Sequence, residues 1–220
     1  MNYDKDTKNA YRNELKAKEY QEQYTKGTKW ARFTMWRQKV LIKKIIEQCN
    51  FKQDDKILDI PCGTGFIGKI LCNSLGHIIA SDISIEMMNR ASREYQGDNF
   101  RGFVQCDVTQ TPFKKESFNC VILLALMHRL PKEIKFKTWD EVVSLSKKYI
   151  IVNYSIDSHS QRLKQWLTKM IRPTHKPAPS PVGIRGILEE FRLMKLKIKK
   201  RKHVVRFFSS VIIFLLEKSE

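Results

Sequence analysis

The chain has 220 residues, 42% hydrophobic and 29% charged, which suits one α/β domain with a buried core and a short extension. Its 41 Lys and Arg against 23 Asp and Glu give a formal net charge of +18, a balance that draws anionic partners: RNA, an acidic membrane surface or a negatively charged small molecule. The polar N-terminus is no signal peptide, the longest apolar run (211–216) is too short to span a bilayer, and five scattered cysteines without CxxC spacing favour reduced buried thiols over disulfides or a zinc site. A cytoplasmic protein with reduced thiols and no metal is the expectation.

Residues 1–50 read as an N-terminal helical cap. The first 28 are polar and rich in Lys, Glu and Tyr. From 30 to 48, Phe33, Trp36, Val40, Leu41, Ile45 and Ile46 recur at near-helical spacing. Residues 51–220 then alternate. Strands are predicted at 56–60, 77–81, 103–106, 118–124 and 149–153, and helices at 66–74, 85–95 and 135–145. Such alternation implies a parallel sheet with helices on both faces, a Rossmann-like three-layer sandwich. An insertion follows at about 156–181, with a helical 160–171 and the proline-rich RPTHKPAPSP. Ser180-Pro181 is an N-cap and first-turn pair for a helix running to Phe191. Segments 194–200 and 208–216 read as two closing strands in an antiparallel edge pair, completing a mostly parallel, seven-stranded sheet whose last strand is antiparallel.

The chemistry concentrates in ILDIPCGTGFIG (57–68), where an apolar strand ends on Asp59 and enters a glycine-rich turn opening into a helix. Gly63, Gly65 and Gly68 match GxGxxG, which by itself suits a dinucleotide, with Asp82 on a ribose. The surroundings point to a cationic ligand instead. Asp59 would repel a pyrophosphate and suits an ammonium or sulfonium. Asp82, in ASDIS, can accept from both ribose hydroxyls or cap the next helix. Asp107 can accept from an adenine amino group beside the backbone of Val108.

The segments ILDIPCGTG, ASDIS, CDVTQTPF and FNCVILLALMHRLP, in that order and spacing, resemble the successive motifs of class I S-adenosylmethionine-dependent methyltransferases over about residues 30–155. The resemblance implies S-adenosylmethionine as cofactor. It places Asp59, Pro61, Cys62, Gly63 and Gly65 at the methionine end and Asp82 on the ribose. Asp107 and Val108 fall on the adenine, flanked by Ile83 and Met87, with the carbonyls of Leu123 and Leu124 toward the methionine amine. Pro61 stands where most members carry a first glycine, and Asn119 replaces a common aspartate; neither removes the cofactor contacts.

Methyl transfer from a sulfonium is an in-line displacement that needs a base only when the acceptor must lose a proton. His128, just beyond the fourth strand, is the candidate base, with a packing or helix-capping role as the other reading of the same residue. Asn153 and Tyr154 are placed facing the cleft. LLAL stands where an NPPY or DPPY signature would mark amino-group methylation of adenine or glutamine. The acceptor pocket is assigned to Tyr24, Trp30, Phe33 and Trp36 and to the insertion 158–181. A small-molecule or lipid-linked acceptor, anionic or amphiphilic, is the leading expectation, with O-methylation favoured and peripheral membrane contact compatible with it. An RNA methyltransferase using the basic 192–206 stretch is the alternative, and an NAD-dependent oxidoreductase or sensor the third reading.

Overall fold

A computed structural model describes residues 13–156, 183–206 and 209–219. The insertion assigned to 158–181, the Ser180-Pro181 cap and the side chain of Tyr24 lie outside the described residues. Helix α1 (Glu14–Thr25) starts at Asn13, whose side chain accepts the Leu15 N–H at 2.8 Å. Thr28 caps α2 (Lys29–Gln48) in the same way, accepting from Ala31 N–H at 3.2 Å. The buried residues of α2, Leu41, Ile42, Ile45 and Ile46, all fall in its second half. That half carries the core stripe, and the first half is left to other work.

The strands are β1 (Lys56–Asp59), β2 (His77–Asp82), β3 (Phe100–Gln105), β4 (Phe118–Leu123), β5 (Ser146–Ser155), β6 (Leu196–His203) and β7 (Val211–Lys218). They form one sheet in the order β3-β2-β1-β4-β5-β7-β6. β1 through β5 are parallel, and β7 runs antiparallel to both β5 and β6. The closing strands therefore pair as expected, but β7 inserts beside β5 and leaves β6 at the edge. β5 is longer than its apolar centre suggested, because β7 pairs with it from Tyr149 to Ser155. β3 starts three residues earlier than predicted, pairing Phe100 with Ile78 across a register shift.

Helices α3 (Gly68–Cys72) and α4 (Ile85–Ala91) are shorter than the sequence implied. They join α2 over one face of the sheet, where Ile42, Ile57, Leu71, Ile78, Cys120 and Ile151 are buried together. Helices α5 (Lys132–Leu145) and α6 (Ile184–Leu193) cover the other face. There Trp139 and Phe191 pack edge to face at 5.8 Å, and Phe191 and Phe214 at 5.0 Å. A buried carboxylate, Glu190, ties α6 to this core. It accepts from Tyr154 Oη at 2.5 Å, Lys135 Nζ at 3.1 Å and Trp139 Nε1 at 3.2 Å. Tyr154 thus points away from the cleft, contrary to its assignment there. Strand alternation explains this: neighbouring side chains face opposite sides, so Asn153 and Tyr154 cannot share one.

Candidate active site

Strand order reverses at β1, which lies between β2 and β4, and ligands of open α/β sheets settle outside the carboxyl ends of strands at such a point. A cavity of about 310 Å³ opens there. Asp59, Pro61, Cys62, Gly63, Asp82, Ile83, Met87, Asp107, Val108, Leu124 and His128 all line it. Gly65 and Leu123 do not. Leu123 is fully buried within the sheet against the α5 and α6 side. Gly65, at φ +81°, faces α4: a Cβ there would stand 2.8 Å from Glu94 Cβ and 3.1 Å from Ala91 Cα. Gly68 is likewise closed off by the Glu94 carbonyl at 2.8 Å. Gly63, by contrast, has φ +53° and nothing within 4 Å of where its Cβ would be. The GxGxxG pattern therefore divides into one glycine with an open approach beside the cavity and two that let the turn pack on α4.

Two carboxylates dominate the β1 and β2 end. Asp82 accepts from Gly63 N–H and from Ser84 N–H, each at 2.9 Å, so it holds the glycine turn and the entry to α4 together. Burial pushes its pKa up, while the backbone donors of Ser84, Gly63 and Ile83 oppose the shift. Ser84 Oγ then caps α4 by accepting from Met87 N–H at 3.1 Å. Asp59, 1% exposed, accepts a very short hydrogen bond from the Tyr95 hydroxyl. Burial raises its pKa to about 7; the Tyr95 bond pulls it down and the Asp82 charge pushes it up. Asp107 accepts from Thr109 N–H and Oγ1 at 2.9 and 2.8 Å, which shapes the turn after β3.

The opposite wall comes from the turn after β4 and from the helical cap. His128 lies in a single 3-10 turn, Met127–Arg129. Burial, then the charges of Arg129 and Lys135, lower its pKa to about 4, so the ring is neutral at ordinary pH. Its Nδ1 is buried and has no hydrogen-bond partner. Asn153 Oδ1 accepts from Ala125 N–H at 2.7 Å and fixes the backbone bend after β4. Tyr20 of α1 and Met35 and Gln38 of α2 close the cavity from above. α1 is pinned over α4 by Arg90, which bonds Gln21 at 2.8 Å and forms a very short ion pair with Glu14. The Arg129 guanidinium lies 5.9 Å from the Tyr20 ring centre.

Sequence reasoning missed Tyr95, Tyr20, Gln38 and Arg129. Tyr95 reaches Asp59 across 36 positions, and nothing local marks it. Among the described residues, no cluster of His, Cys, Asp and Glu could hold a metal ion.

The donor set fits a cationic, ribose-bearing ligand. Two buried carboxylates face the cavity, and burial, with the neighbouring Asp82 charge, holds the Asp59 carboxyl partly protonated. The approach at Gly63 is open to a ligand's backbone-side contact.

A methyltransferase-domain family model matches residues 57–148. The demethylmenaquinone methyltransferase of Clavibacter sepedonicus is 36% identical over 69 residues, covering 31% of this chain and 28% of its own. The ubiquinone/menaquinone biosynthesis C-methyltransferase of Cellvibrio japonicus is 24% identical over 159 residues, 64% of this chain and 59% of its own. The chain thus spans less than two thirds of the length of either relative. Among solved structures, the magnesium protoporphyrin IX methyltransferase of Synechocystis PCC 6803, with bound SAH, superposes with a TM-score of 0.72. Its coverage is 87% of this chain and 88% of that one, and at 15% identity the likeness speaks for the fold. Strand order, the acidic strand tips and the matched domain agree, and S-adenosylmethionine is the cofactor they call for. Residues 57–148 match a methyltransferase domain, and the fold is that of S-adenosylmethionine-dependent methyltransferases.

Proposed function

We propose that the protein transfers a methyl group from S-adenosylmethionine to a small-molecule or lipid-linked acceptor bearing an ionisable hydroxyl, with that oxygen as the receiving atom. One observation carries the reading: His128, neutral at ordinary pH, stands in the wall of the cavity that also holds Asp59 and Asp82.

The bound cofactor supplies an activated methyl group on a sulfonium. The protein's part is to hold and align. Asp59 faces the amine end, Asp82 the ribose hydroxyls, and Asp107 with the Val108 backbone the adenine. Ile83 and Met87 cover the ring. His128 receives the hydroxyl proton as the methyl passes to the oxygen, and Tyr20, Met35 and Gln38 exclude water from the reacting atoms. The apolar lining of Met35, Phe66, Leu126 and Val211 suits a hydrophobic acceptor.

The relatives named for demethylmenaquinone and for C-methylation in quinone biosynthesis favour a second form of the same reading. Removing a ring hydroxyl proton also enriches the adjacent carbon, so the same His128 would serve methylation there.

The test is transfer of labelled methyl from S-adenosylmethionine to phenolic and quinol acceptors and, in parallel, to total RNA. The label is expected in the organic extract, and His128→Ala should lower kcat by about a hundredfold with unchanged S-adenosylhomocysteine affinity. Label in RNA alone, or a wild-type kcat for His128→Ala, would overturn the proposal.

A further inference from the structure

The outward face of α2 is built unlike the rest of the surface. At 100° per residue, Lys29, Phe33, Trp36, Val40 and Lys43 fall within an arc of about 80°, turned away from the buried Leu41, Ile42 and Ile45. Phe33 is 42% exposed and Trp36 57%. Isolated exposed apolar residues are ordinary, but aromatic rings grouped on one helical face are not. Trp30, Phe33 and Trp36 touch in series, with centroids 5.8 and 5.9 Å apart and planes tilted by 36°.

Charge makes the second observation. From Lys26 to Lys44 the chain carries seven basic residues (Lys26, Lys29, Arg32, Arg37, Lys39, Lys43 and Lys44) and no acidic one. Among the described residues, the carboxylates paired with them come from outside that stretch, Glu22 to Lys26 at 2.9 Å and Glu47 to Lys43 at 3.9 Å. Aromatic rings flanked by lysine and arginine on an exposed amphipathic helix match the boundary between anionic headgroups and acyl chains, where rings insert and ammonium stems reach back to phosphate. Rings already packed on one another leave no slot between them for a nucleotide base, which weighs against a single-stranded RNA track.

Position is the third: Met35 and Gln38 of the same helical turns line the cavity from the opposite side of α2, so the cavity does not use the aromatic arc, which stays at the surface.

We infer that the N-terminal half of α2 is a docking surface for an anionic lipid bilayer, seating Phe33 and Trp36 at the headgroup boundary. The inference goes beyond the proposed methyl transfer and does not depend on it, since vesicle binding is read without any acceptor.

The experiment is co-sedimentation of the full chain with phosphatidylcholine vesicles with and without phosphatidylglycerol, together with quenching of tryptophan emission by brominated acyl chains. Binding is expected to the anionic vesicles and to fall about fivefold for each basic side chain removed from the 26–44 stretch. Trp36→Glu and Phe33→Glu should each weaken it at least about tenfold while leaving S-adenosylhomocysteine affinity unchanged, which certifies the fold. Absence of binding to anionic vesicles overturns the inference, as does equal binding by Trp36→Glu. Trp36-dependent capture of polyuridylate without vesicle binding would assign the face to RNA, and a Trp36-dependent dimer without vesicle binding would assign it to a second copy; either result also overturns it.

Discussion

Replacing Asp59 with Asn removes a carboxyl whose protonation should be coupled to cofactor binding. Burial lifts this group from 3.8 to about 7, which at 1.36 kcal/mol per unit corresponds to about 4 kcal/mol withheld from the ionised form. The folded state keeps the proton longer than the unfolded chain does. The group's contribution to ligand-free stability is therefore complete below about pH 3.8 and is lost as pH rises to about 7. A bound ammonium reverses the preference, because it pairs with the carboxylate and drives the proton off. S-adenosylhomocysteine affinity should then weaken as pH falls below 7, with a limiting slope of tenfold per pH unit, and flatten above it. Calorimetric titration in buffers of different ionisation heat counts the proton directly, with about one released near pH 6 and none near pH 8. Asp59→Asn should bind more weakly and without the slope. A wild-type affinity flat across this range, or a slope retained in Asp59→Asn, would refute the argument.

Glu190→Ala should destabilise the fold by about 3–5 kcal/mol in urea unfolding, because it strands the buried Lys135 ammonium along with Tyr154 and Trp139. Glu190→Gln, which keeps the acceptor oxygen, should cost less. Gly65→Ala should lower the melting temperature more than Gly63→Ala, since both carry positive φ but only Gly65 would place its Cβ against Glu94 and Ala91. The order should invert for S-adenosylhomocysteine affinity, where Gly63→Ala fills the ligand's approach and Gly65→Ala does not.

Much of the architecture was legible because it is local. Apolar strands and amphipathic helices announce themselves by period, and the acidic residues at successive strand tips sit beside short turn signals. Asp59, Asp82 and Asp107 therefore came out of the sequence together, and the structure brings all three to one cavity. What escaped depends on pairing across the fold. Tyr95 acts on Asp59 only because α4 and the turn after it return beneath β1. The side chain of Leu123 is buried on the far face by the alternation of β4, while Leu124 lines the cavity. Tyr154 was misplaced for the same reason, one residue of register. Trp30, Phe33 and Trp36, assigned to the acceptor pocket, do not line the cavity: only the second half of α2 packs on the core, and its first half leaves these rings exposed.

The edge strand β6 has a consequence for solubility. From Lys197 to His203 every residue is exposed, and all but Ile198 and His203 are Lys or Arg. β7 satisfies one side of this strand, and its other side presents backbone donors and acceptors ready to template a further strand. Rows of lysine beside a register shift between Ile198 and Lys200 make that pairing electrostatically and geometrically poor for another copy of the same edge. Part of the excess positive charge is thus accounted for without any anionic partner: it keeps an open sheet from growing.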